Sequence, residues 1–108
     1  MCGFTISKER LENKIKHRGV IENFANNDYW DITFNSLPLC SYGLKLDQPL
    51  KIGSTLLCFN GEIFNYKSLD RKANSDLEYL YNILKKENNI YKLYKESLEW
   101  DGFWSIGF

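Results

Sequence analysis

The chain has 108 residues, enough for one domain with a modest core, and its 44% hydrophobic and 16% aromatic content describes a globular protein rather than a disordered one. Fourteen basic residues balance fourteen acidic ones, which argues against a nucleic-acid or membrane-surface partner. The longest strongly apolar run, TLLCF, is far too short to span a bilayer.

CGFTI, near the start, reads as a short strand. SKERLENKIKH reads as a polar amphipathic turn or helix, with Leu11 and Ile15 on one face. GVIENFANND is loop-like. In YWDITFN, Trp30, Ile32 and Phe34 alternate with Asp31, Thr33 and Asn35, as a strand requires. NS then turns the chain into LPLCSYGLKL, where Pro38 suits the start or edge of a strand. STLLCF is a continuous apolar run, the mark of a strand covered on both faces. NGE interrupts it and IFNY resumes it.

Ser75 and Glu78 form a capping box, and Leu77, Leu80, Tyr81 and Leu84 follow at helical spacing. Asn88 and Asn89 end that helix, and a second short one carries Tyr91, Tyr94 and Leu98. Trp104, Ile106 and Phe108 alternate as a closing strand. Strands, then two consecutive helices, then a strand predict an α+β fold with mostly antiparallel pairing. The apolar face and backbone edge of that last strand need cover, either from strands earlier in the chain or from another chain.

Cysteines stand at 2, 40 and 58, with one histidine and no C-x-x-C. That pattern argues against a zinc site and for reduced thiols in a cytoplasmic protein; no metal and no cofactor are expected. Cys2 is the odd one, because a side chain at a fraying terminus has little to pack against. Methionine before cysteine is normally trimmed, which would leave Cys2 with a free α-amine beside its thiol. An α-amine titrates near ~7.7–8.0 and a thiol near ~8.5, so nucleophile and base would share one residue.

Three other stretches hold chemistry of the right type. Asn60 and Gly61, at the end of an apolar strand, offer an amide side chain and a bare backbone N–H, the two donors an oxyanion hole needs. Asn-Gly is equally a hairpin turn. Asp76, in the first turn of a helix, is suited to a substrate ammonium or to the helix dipole. Arg18, after the lone His17, lends positive charge near the thiol or braces a loop.

MCGF, HRG, FNGEIFNY, SDLEYL and DGFWSIGF, in that order, closely resemble the class II glutamine amidotransferase domain, an N-terminal-nucleophile (Ntn) hydrolase. NGEIFNY and the earlier DQPL look most like its asparagine synthetase branch. The resemblance implies part of an αββα sandwich and a cytoplasmic glutaminase acting on L-glutamine. Cys2 would attack the side-chain amide, release ammonia and form a glutamyl thioester that water hydrolyses. It implies Asn60 and Gly61 as the oxyanion pair, and Glu62 in the substrate-contacting strip. Asp76 matches the carboxylate on the α-amine, and Arg18 matches the arginine of the shielding loop.

Two departures stand beside it. The family's arginine that clamps the glutamine α-carboxylate falls on Gly43, with Lys45 nearby. Losing such a charged partner costs about 1.5–3 kcal/mol, about tenfold or more in binding. The resemblance also spans only the first half or slightly more of a family glutaminase domain, with no synthetase domain. The expectation is therefore a single truncated domain over residues 1–108, completed by a second polypeptide or by self-association. The alternative is a catalytically impaired relic that binds or regulates.

Overall fold

The computed structural model describes residues 2–36 and 48–108. Strands β1 (Gly3–Ser7), β2 (Ile21–Asn26) and β3 (Asp31–Ser36) form one sheet, in the order β1-β3-β2. Strands β4 (Leu50–Ile52), β5 (Thr55–Ile63) and β6 (Gly102–Gly107) form a second, in the order β4-β5-β6. Helices α1 (Tyr66–Leu69), α2 (Asp76–Lys86) and α3 (Ile90–Ser97) lie between β5 and β6 in sequence. The α+β expectation holds, and β1–β3, β2–β3 and β4–β5 all pair antiparallel. No helix among the described residues is long and apolar enough to cross a membrane.

The chain divides into two compact units. One runs up to Asn60 and includes Ile106–Phe108; the other is Gly61–Ser105. In the first unit, β3 supplies Ile32 and Phe34, and β5 supplies Leu56 and Cys58, to one buried cluster. Alternation puts each pair on a single face of its strand. Trp30 does not join them; it precedes β3 and is 43% exposed. Leu56–Phe59 are buried on both faces of β5, as a continuous apolar run requires.

One sequence reading fails in this unit, and another holds only as a turn. GVIENFANND is not a loop: Ile21–Asn26 pair with β3, from Ile21 opposite Ser36 to Asn26 opposite Asp31. The hairpin is closed by Asn27, whose Oδ1 accepts from the backbone N–H of Tyr29 (2.9 Å) and of Trp30 (2.8 Å). β2 is polar because it is an edge strand among the described residues, half-buried or exposed along its length. SKERLENKIKH forms no amphipathic helix, only a 3-10 turn at Lys16–Arg18. Leu11 is exposed and Ile15 half-buried, so the expected apolar face does not form.

The second unit is built around α2. Ser75 Oγ accepts from Glu78 N at 3.0 Å, the first half of the capping box. The second half differs, because the Glu78 carboxylate accepts from the backbone and side-chain amides of Asn74 instead. Leu77, Leu80, Ile83 and Leu84 face inward. Tyr79 is buried as well, donating to Glu96 Oε2 at 3.1 Å and accepting from Trp100 Nε1 at 3.0 Å.

On α3 the buried residue is Leu93, while Tyr91, Tyr94 and Leu98 are exposed, opposite to the expected face. Nor does IFNY resume a strand. β5 runs unbroken through Asn60, Gly61 and Glu62 to Ile63, and Asn65 then precedes α1. The side chain of Asn65 holds the chain before β6, accepting from Asp101 N at 2.8 Å and donating to Glu99 O at 2.9 Å.

Candidate functional site

Cys2 leads directly into β1, and its thiol has a seat after all. The residue is half-buried and packs on the Ile32, Phe34, Leu56 and Cys58 cluster. Its carbonyl oxygen accepts from Asn60 Nδ2 at 2.9 Å and from Arg18 Nε and Nη2, each at 3.2 Å. Three predicted site residues of the first unit thus meet at one backbone oxygen. The 3-10 turn delivers Arg18, with its N–H donating to Ile15 O at 2.9 Å. Glycine at position 3 leaves space for the arginine stem, since a Cβ there would lie 3.1 Å from Arg18 Cγ.

This arrangement fixes the main chain of residue 2 from the side of its carbonyl. The guanidinium of Arg18 braces the Cys2 backbone, which brings its positive charge to the carbonyl of that residue. Asn60 uses one Nδ2 proton on the Cys2 carbonyl, and its primary amide carries a second.

The loop before β2 is held by polar side chains that the sequence did not single out. Asn35 on β3 is 1% exposed. It donates through Nδ2 to Gly19 O at 3.0 Å and accepts through Oδ1 from Asn13 Nδ2 at 2.9 Å. Asn13 also donates to the Glu22 carboxylate and accepts from Ile15 N at 3.0 Å. The available signal was an asparagine in an alternating strand, and alternation assigned it to the polar face.

Gly61, Glu62 and Asp76 belong to the second unit. Gly61 has φ +146°, and a Cβ there would lie 2.6 Å from Trp104 Cα. Only glycine tolerates both conditions. Asp76 Oδ2 accepts from Ile63 N at 3.1 Å, and Oδ1 accepts from Leu77 N at 2.8 Å. The start of α2 is thereby tied to the end of β5. Burial pushes the Asp76 carboxyl above its ordinary value; the Ile63 and Leu77 amides oppose this, and the Glu62 charge adds to it. Glu62 itself is exposed. A partly buried carboxylate with a second negative charge close by is an environment that favours a cation.

Burial pushes the Cys58 thiol up to about 12, with the carbonyl of Gly107 at 3.8 Å from its sulfur. Cys58 is fully buried and chemically inert, whereas Cys2 is partly accessible. An open cleft of about 390 Å³ in the first unit is lined by Ile6, Trp30, Ile32, Leu56 and Phe108 among others, and by none of the predicted site residues. No group of three or more His, Cys, Asp or Glu residues that could hold a metal occurs among the described residues. Met1, Cys40, Gly43, Lys45 and the strand expected over LPLCSYGLKL lie outside the described residues. No family model, curated protein or solved structure matches the chain.

Proposed function

We propose that the chain is a glutaminase-type domain of the class II glutamine amidotransferase kind, on its asparagine synthetase-like branch, with part of the Ntn-hydrolase sandwich. The observation that carries this reading is the convergence of Asn60 and Arg18 on the carbonyl of Cys2. Residues singled out in three separate motifs meet at the backbone of the candidate nucleophile.

In this reading, removal of Met1 exposes the α-amine of Cys2. The amine takes the thiol proton as Sγ bonds to the side-chain carbonyl carbon of L-glutamine. Negative charge develops on that oxygen, facing the second Nδ2 proton of Asn60 and the Gly61 N–H. The proton passes to the departing nitrogen, the C–N bond breaks, and ammonia leaves a glutamyl thioester. Water adds to the thioester, glutamate is released and the Cys2 thiol is restored. Asp76, supported by the field of Glu62, takes the glutamine α-amine.

The test is direct. Mass spectrometry checks the loss of Met1, and a diazo-ketone glutamine analogue probes the thiol. Labelling confined to Cys2, suppressed by glutamine and absent in Cys2→Ala, supports the reading. Retained Met1, or labelling spread over Cys40 and Cys58, overturns it. The second reading, an impaired relic that binds without turnover, is favoured by Gly43 at the place of the expected arginine. Saturable glutamine binding without release of ammonia or glutamate would select it.

A further inference from the structure

We propose that Asn35 is a positioning residue for Cys2, acting through the loop that carries Arg18. Its catalytic meaning rests on the proposed role of Cys2 as nucleophile, whereas the placement rests on geometry alone. Asn35 lies on the central strand of its sheet, opposite Gly3 on one side and Glu22 on the other. It therefore stands across from the strand that follows Cys2 and from the strand that follows the loop. A buried amide is costly unless it is bonded, and here both ends of the side chain are used. Nδ2 holds the carbonyl of Gly19, the residue after Arg18. Oδ1 holds Asn13, which in turn accepts from Ile15 N.

Ile15 O receives the Arg18 N–H, so the loop is tethered to Asn35 on both sides of the arginine. Gly19 reinforces the tether by lying flat on the strand end, where a Cβ would be 2.7 Å from Ser36 N. From this anchored turn Arg18 reaches the Cys2 carbonyl with two donors. Filling the core at this position needs only an apolar residue of similar size. The asparagine adds the attachment of the loop.

The experiment reads the Arg18 Nε–H signal by NMR in the full chain, without substrate. In Asn35→Leu, its exchange with water should accelerate by about tenfold, the worth of one net hydrogen bond. The backbone amides of Thr33 and Phe34 should keep their protection, which a general loss of stability would not allow. The alkylation rate of Cys2 should change as it does in Arg18→Ala, and the double variant should show no further change. An Arg18 Nε–H that exchanges as in the parent, in a folded Asn35→Leu protein, overturns the proposal. If Asn35→Leu does not fold, Asn13→Ala cuts the surface arm of the same tether and decides by the same two readouts. Glutamine-analogue labelling of the parent reports separately on the glutaminase reading, so the two can fail independently.

Discussion

The side chain of Asn60 donates a hydrogen bond to the main-chain carbonyl of Cys2 at 2.9 Å, across 58 residues of sequence. The bond joins the middle of β5 to the residue preceding β1. It gives the Cys2 thiol a fixed backbone without using the thiol itself.

Asn60→Ala should therefore have two separable effects. Loss of the bond should lower stability by about 0.5–1.5 kcal/mol in urea unfolding. If glutamine is hydrolysed, loss of an oxyanion donor should lower kcat by a further factor of about 10²–10³. A loss of kcat no larger than that of an equally destabilised variant elsewhere would remove Asn60 from the chemistry.

The two described cysteines should differ sharply toward iodoacetamide at pH 8. Cys2 is half-buried, while Cys58 is fully buried with its thiol pushed up to about 12. Peptide mapping of the native protein should find Cys2 modified and Cys58 intact, with Cys58 becoming reactive only in denaturant. Native modification of Cys58 would contradict its place in the core.

Alkaline conditions should destabilise the protein. Folding raises the Cys58 thiol from 9.0 and the Tyr79 hydroxyl from 10.0, each to about 12, chiefly through burial. The unfolded chain gives up these protons first, so the stabilisation is complete below pH ~9 and is lost as pH rises toward 12. Denaturant midpoints should fall above pH ~9, and Cys58→Ala should flatten the lower part of that fall.

Asp76 has the same sign in the acid range. Its folded value lies above the ordinary 3.8, because burial penalises the carboxylate more than the Ile63 and Leu77 amides favour it. Stability should decline as pH rises upward from about that ordinary value, and carboxyl-carbon NMR should place the Asp76 midpoint above it. Asp76→Ala should nonetheless destabilise by about 1–3 kcal/mol, since it leaves the amide of the buried Ile63 without its acceptor. A neutral outcome in urea unfolding would show that Asp76 does not tie β5 to α2.

Gly61→Ala should be more damaging than an ordinary strand substitution. It combines a φ of +146° with a Cβ directed into the backbone of Phe103 and Trp104. Conformational strain alone contributes about 1–3 kcal/mol. A thermal midpoint equal to the parent's would refute the close approach.

Elements whose pattern matched their burial were legible in the sequence. Ile32 and Phe34 on β3, the continuous run on β5 and the Ser75 cap are of this kind, because each reflects a local rule. β2 was hidden because an edge strand needs little apolar character, and its hairpin is closed by the side chain of Asn27 rather than by Asn-Gly. α3 was located but its face was misassigned: helical spacing relates Tyr91, Tyr94 and Leu98 to one another but does not say which side another element covers. The candidate residues were picked out by motif order. Their meeting point at the Cys2 carbonyl was not, since Arg18 and Asn60 are brought there by separations of 16 and 58 residues. Asn35 was missed because a satisfied buried amide and a solvated one share the same letter in the sequence.

Gly3 and Arg18 pack closely: a Cβ at position 3 would lie 3.1 Å from Cγ of the arginine stem. A methyl group at position 3 would ask the arginine stem to give by only a few tenths of an ångström, whereas a larger side chain there would compete with it for the approach to the Cys2 carbonyl.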